Sequence, residues 1–406
     1  MTALSPPAGS IGFLNDQILQ RDRAGTLSCD HAFVRFLLAF RRRYERVVLF
    51  SRVDPAIIDA PRSVLVDGEG IEVVELPFYP RISSLFSHPL RYWPDVDVAL
   101  RRVDDLDALW LNTGHPISLR ALRRVGGRSR PLLCAALRGN YEQDAAIREG
   151  GAARAARVMQ TAMMWLFARA ARRHDVPVLA YGDAAVARSR ELGMRAIPFE
   201  TTLLSAELVA RPPSADPAFA TDVLVICRLV QEKGLDRLLD AMPSLRGRDG
   251  APARLAIVGD GPQRAVLERQ VDDLGLRERV VFRGYVGHGP GLMAMVRSAR
   301  VFALPSRTEG VPGTALEAMA MRVPVVATAV GGLPTLLGEG RGLLVAADEA
   351  DLAGRFGAAL QRALDDDALR EGVIEAAFAH VRGLTMEGQV DRVVALLEGA
   401  RGQQEA

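Results

Sequence analysis

Two periods of apolar residues alternate along most of this chain. Strand-length apolar runs occur at 10–14, 47–50, 63–66, 71–76, 108–111, 132–137, 178–181 and 195–199. Between the first two, Phe33, Phe36, Leu37, Phe40 and Tyr44 fall three and four apart, the spacing of a helix that buries one face. The scheme repeats at 223–227, 254–258, 280–282, 301–304, 323–327 and 343–345, and the pattern after 348 is nearly all helical. Strands alternating with helices predict α/β domains with parallel sheets. Residues 15–28 and 77–94 read as loops, the second rich in Pro, Ser and aromatics. The helix around 158–171 is apolar nearly all round, so it is expected in a core. Membrane contact through its Arg172-Arg173 end is the alternative reading.

A chain of 406 residues exceeds one ordinary core and predicts two domains. The Pro-rich segment 211–217 is the expected linker, giving domains at 1–208 and 218–384. Both are expected to be doubly wound, with ligands at the C-terminal edges of their strands. Cys29, Cys134 and Cys227 sit mostly in apolar runs and read as buried thiols, not as a disulfide framework or metal cluster. No CxxC or HExxH occurs, so no metal site is expected. The absence of a charged and then apolar N-terminal pattern gives the expectation of no signal peptide and a cytoplasmic protein. Residues 1–205 carry 28 arginines against 22 acidic residues, whereas the remainder carries 23 basic against 27 acidic. A basic front half suits an anionic partner, with peripheral contact at the inner face of a membrane as one form of it. A solvated surface with no partner explains the charge equally well. No nucleic acid is expected.

Lys233 is the only lysine among 51 basic side chains. It lies five residues after Arg228, between a strand run and a helical pattern, where backbone donors and a cation can meet phosphate. Drift toward arginine codons explains the scarcity but not the position. Gly259-Asp260-Gly261-Pro262 follows the next strand and permits close backbone approach, although many such turns are only turns. Glu309 and Glu317 flank a Gly/Pro-rich turn that opens a helix. Its N-terminal N–H groups offer a phosphate seat, and the carboxylates suit sugar hydroxyls. For Glu317 the competing reading is a capping box with Thr314.

These motifs resemble the retaining glycosyltransferases of the GT-B fold, specifically glycosyltransferase family 4. The resemblance rests on Arg228-Leu229-x-x-x-Lys233-Gly234, Gly259-Asp260-Gly261-Pro262, Val281-Phe282-x-Gly284-Tyr285, Pro305-Ser306-x-x-Glu309-Gly310, the Glu309/Glu317 pair, 324–328 and Gly331-Gly332-Leu333-Pro334. It implies two Rossmann-like domains facing across a cleft, the last helix (about 385–400) packing back on the first. Arg228 and Lys233 would hold a donor diphosphate, Glu309 the donor sugar and Glu317 the ribose. Val311, Pro312, Gly313, Thr314 and Ala315 would seat the distal phosphate, and Arg283, Gly284 and Tyr285 would lie along the base. His115 would face the donor sugar, while Gly25 would approach the diphosphate. Asp22 and Arg138 are the acceptor-side candidates, Asp22 as a contributor to deprotonation. The acid that the family carries after its Gly-Gly-x-Pro is Thr335 here. The implied partners are a nucleoside-diphosphate sugar and a hydroxyl acceptor. The implied chemistry needs no cofactor, metal or enzymic nucleophile.

Two other readings stay open from the residues. A non-catalytic module of the same fold would bind nucleotide sugar without transferring it. A pyridoxal phosphate enzyme would have to use Lys233 as its Schiff-base lysine.

Overall fold

The computed structural model describes residues 8–29, 33–59, 64–66, 70–137, 151–200, 202–310, 312–348 and 351–404. The chain divides into two compact units, Met1–Thr201 with Glu387–Ala406 and Thr202–Met386.

The first unit is built on strands β1 (Ser10–Asp22), β2 (Leu27–Cys29), β3 (Arg46–Ile58), β4 (Val64–Leu65), β5 (Ile71–Leu76), β6 (Ala108–Asn112), β7 (Leu132–Leu137), β8 (Val178–Tyr181) and β9 (Ala196–Phe199). The parallel pairings run β5-β3-β1-β6-β7-β8-β9. The order reverses between β1 and β6, the topological switch point of a doubly wound sheet. Residues 15–28 are not the expected loop. β1 continues past a register shift between Leu14 and Ile18, still paired with β3, and turns into an antiparallel hairpin with β2. The expected loop at 77–94 likewise contains the helix Ser84–Ser87 and the start of Pro89–Leu100. Phe13, Phe36, Phe40, Trp110 and Phe199 pack mostly edge to face in the core. The helix Gly151–Arg173 buries Met164, Phe167, Ala168 and Ala171, while Val158 and Trp165 are exposed. It is therefore one-sided, not buried all round. The helix Met386–Gln404 buries Val390, Val393, Val394 and Leu397, and its Asp391 pairs with Arg43 at 3.0 Å.

The second unit holds β10 (Thr221–Ile226), β11 (Leu255–Val258), β12 (Val280–Gly284), β13 (Ala299–Leu304), β14 (Val325–Thr328) and β15 (Leu343–Val345). All pairings are parallel, in the order β12-β11-β10-β13-β14-β15. Side-chain alternation divides each strand between two cores. Val223, Val225, Val301, Ala303 and Val326 join one cluster; Leu224, Phe302, Leu304, Val325 and Ala327 join the other. The Pro-rich segment 211–217 belongs to this unit. Val209 beside it is buried in the core, and Asp216 N–H donates to Ser298 Oγ at 2.7 Å. The switch point falls between β10 and β13, whose C-terminal loops carry Arg228 and Lys233 on one side and Glu309 on the other.

Candidate active site

β10 ends at Ile226, and the chain runs through exposed Arg228 into the short turn Gln231–Lys233. Gly234 ends that turn at φ 62°, where a Cβ would stand 2.1 Å from the Pro305 carbonyl oxygen. Glycine there lets the turn lie directly on the loop after β13. Arg307 N–H then donates to the Glu232 carbonyl at 2.8 Å, and the Arg307 guanidinium bonds Asp236 at 2.5 Å. A second glycine performs the same service from the other side. Gly331, φ 56°, has its missing Cβ 1.7 Å from the Glu309 carbonyl oxygen, and Gly332 N–H donates to Gly310 at 3.0 Å. Three strand-end loops thus converge on Glu309.

Within that seat Lys233 Nζ donates to Glu309 Oε1 at 2.5 Å, and Ser306 Oγ donates to the same oxygen at 2.7 Å. The Glu309 side chain is 6% exposed and that of Lys233 20%. Burial makes their charges interact strongly, and each compensates the other's desolvation. Arg228 is exposed with no ion pair among the described residues, so its guanidinium is available to an anion. Cys227 lies beside them, its thiol pushed up to about 12 by burial despite the lowering influence of Lys233.

Glu317 lies in the helix Gly313–Ala320 and is 5% exposed. The helix begins at Gly313 after Pro312, with no side-chain cap. Thr314 is therefore the second helical residue and not the N-cap, and the Thr314/Glu317 capping box is not formed. Glu317 Oε1 lies 3.2 Å from His288 Nε2, and its Oε2 is buried with no hydrogen-bond partner among the described residues. His288, which motif reasoning missed, comes from the loop after β12. Its only signal was position: Gly287-His288-Gly289-Pro290 follows a strand and opens the helix Pro290–Arg297.

The other expected donor residues divide by task. Gly259 and Gly261 meet the protein's own backbone, since Cβ atoms there would come within 1.9 Å of the Cys227 and 2.5 Å of the Leu229 carbonyl oxygen. Their smallness positions the loop that carries Arg228. Gly284, φ 70°, accepts the Gly259 N–H at 2.7 Å. Arg283 stacks over Phe219, while Tyr285 is 61% exposed. Pro312, Gly313, Thr314 and Ala315 form the start of the Glu317 helix, with the Ala315 N–H already donating to Pro312. Val311 lies outside the described residues, as does Arg138.

In the first unit His115 caps the helix Pro116–Val125. Its Nδ1 accepts the Ile117 N–H at 3.3 Å, which assigns the proton of a neutral ring to Nε2, 3.4 Å from Tyr79 Oη. Gly25 and Asp22 belong to the β1–β2 hairpin turn, not to a strand-to-helix loop. Asp22 Oδ1 accepts the N–H groups of Ala24 and Thr26, both at 2.9 Å. One oxygen of that carboxylate thus shapes the turn. Gly25, φ 90°, completes the turn through its N–H to the Asp22 carbonyl at 3.0 Å.

Two doubly wound units of this topology, the second with a strand-end site of one ammonium, a guanidinium without an ion pair among the described residues and two buried carboxylates, have the GT-B fold. Residues 220–366 match the family described as glycosyl transferases group 1. Among curated proteins, the alpha-D-kanosaminyltransferase of Streptomyces kanamyceticus is 36% identical over 158 residues, covering 38% of this chain and 39% of that protein. A GDP-mannose-dependent alpha-(1-6)-phosphatidylinositol monomannoside mannosyltransferase of Mycobacterium tuberculosis is 33% identical over 254 residues, covering 59% of this chain and 63% of its own length. The aligned parts thus span less than two thirds of these relatives. The fold extends further: Anabaena HepE in complex with UDP superposes with a TM-score of 0.71 at 17% identity, over 96% of this chain and 100% of HepE.

Proposed function

We propose that this protein is a retaining glycosyltransferase that moves a hexosyl-type sugar from a nucleoside-diphosphate sugar to an acceptor hydroxyl. The observation that carries the reading is the Lys233–Glu309 pair, 2.5 Å apart and held at the switch point of the second unit. An ammonium has three N–H directions. Glu309 takes one, so the same nitrogen can hold the pair and still meet a diphosphate oxygen. Arg228 adds a second cation. Charge develops on the diphosphate as its bond to the sugar C1 breaks, and fixed cations in a partly buried site stabilise it. Among the described residues Glu309 receives its two side-chain hydrogen bonds on Oε1, which leaves Oε2 for a sugar hydroxyl. Glu317 Oε2 is offered to the ribose. The acceptor oxygen forms the new bond to C1, and its proton passes to the departing diphosphate.

The names of relatives support this donor class: two transfer aminosugar or mannosyl groups, and HepE was solved with UDP. Acceptor recognition is assigned to the first unit, as is any peripheral membrane contact. Among the described residues no helix is long and apolar enough to cross a membrane. The reading makes the cations sufficient without a metal. Incubation with a panel of nucleoside-diphosphate sugars, followed by NMR of the released or transferred sugar, tests it. The expected product keeps the donor's anomeric configuration, and EDTA leaves the rate unchanged. An inverted product, or a rate abolished by EDTA and restored by a divalent cation, contradicts it.

A further inference from the structure

The Glu317 carboxylate presents a problem that its role in the donor site alone does not solve. It is 5% exposed, yet Oε2 has no hydrogen-bond partner among the described residues. A buried carboxylate oxygen without a donor is costly, and a glutamate has enough side-chain freedom to turn elsewhere. What stands against that freedom is His288, whose Nε2 is 3.2 Å from Oε1, both side chains being largely buried at 19% and 6% exposure.

We propose that His288 is a positioning residue: by engaging Oε1 it fixes the rotamer of Glu317 and presents Oε2 to a ribose hydroxyl of the donor nucleotide. This rests on the donor-site reading given above. The two residues come from different elements, the loop after β12 and the helix Gly313–Ala320, so the contact also sets the distance between those elements. The Nε2–Oε1 approach is a close electrostatic contact at 3.2 Å and not a formed hydrogen bond, and the ribose hydroxyl supplies the donor that Oε2 lacks. Preorganisation of this kind raises affinity by removing the cost of ordering Glu317 at the moment of binding.

The test is calorimetric titration of wild type, His288→Ala and His288→Gln. The probes are uridine, guanosine and adenosine diphosphates, the 2′,3′-dideoxy form of whichever binds, and inorganic pyrophosphate. For the ribonucleotide, His288→Ala is expected to weaken binding about tenfold or more, and His288→Gln, which keeps a donor, to recover most of it. The dideoxy nucleotide and pyrophosphate should bind the Ala variant as they bind wild type. The proposal is overturned by unchanged ribonucleotide binding in His288→Ala, or by an equal loss on the dideoxy nucleotide or pyrophosphate, which would mark general damage. If none of the three diphosphates binds wild type, the donor-site reading fails first and this proposal falls with it.

Discussion

Lys233 stands where an arginine could not do the same work. Its Nζ reaches Glu309 Oε1 at 2.5 Å, an oxygen already taking the Ser306 hydroxyl at 2.7 Å. A compact ammonium fits such a crowded oxygen and keeps two further N–H directions, whereas a planar guanidinium fork demands a flat bidentate partner. Lys233→Ala should therefore lower turnover by about 10²–10³, the usual effect of removing one donor to developing charge. Lys233→Arg should restore only part of it; Lys233→Ala should also melt below wild type while staying folded, because it leaves the buried Glu309 carboxylate without its cation. A fully active Lys233→Arg would return the single lysine to codon drift. At this scale the sequence was informative about residues that stand alone. Lys233, Glu309 and Glu317 announced themselves by type and by place at strand ends. Ser306 and His288 did not, because their significance lies in which carboxylate they meet, and that depends on loops distant in sequence. Nor did the sequence show that Asp22 spends one carboxylate oxygen on two backbone N–H groups of its own turn.

Between elements, glycines decide how the site closes. Gly234 and Gly331 both hold left-handed backbone, and both put the position of a Cβ inside a carbonyl contact with the Glu309 loop or the strand end before it. Gly331→Ala adds a methyl 1.7 Å from the Glu309 oxygen at φ 56°. The strain and clash should cost about 2–4 kcal/mol of stability in urea unfolding. Nucleotide binding should fall further than stability does, because relief requires Glu309 to move. A variant with wild-type nucleotide affinity would show that the Glu309 loop is not held from this side. The Gly-Gly motif was visible in the sequence; the loop it supports was not. Strand lengths were also only partly legible. Polar Asn15, Gln17 and Gln20 ended the apparent first strand at residue 14, yet pairing with β3 carries β1 to Asp22. Pro89 and Pro94 read as loop residues, although Pro89 opens the helix Pro89–Leu100, where its missing N–H costs nothing, and Pro94 lies inside it.

For the molecule as a whole, alternating periods were enough to anticipate two parallel sheets, because a parallel pairing requires a crossover between successive strands. They could not locate the division at Thr201–Thr202. A Pro-rich stretch looks the same whether free or, as here, bonded to Ser298. Burial also gives the fold a pH signature. The Cys134 thiol is raised well above its ordinary value of 9.0, and that of Cys227 up to about 12, in each case chiefly by burial. Above pH 9 the unfolded chain releases protons that the folded chain retains, so stability falls as pH rises, by at most about 1.4 kcal/mol per thiol per pH unit. Urea midpoints between pH 8 and 10.5 should drop less steeply in Cys134→Ala than in wild type; equal slopes would contradict the burial argument. The central claim is that the second unit holds a nucleoside diphosphate through Lys233, Glu309 and Glu317. Its most direct test is a thermal-shift titration of wild type and Lys233→Ala with uridine, guanosine and adenosine diphosphates. The account predicts that at least one of them raises the melting temperature of wild type and leaves that of Lys233→Ala nearly unmoved. No shift in wild type, or the same shift in both proteins, would contradict it.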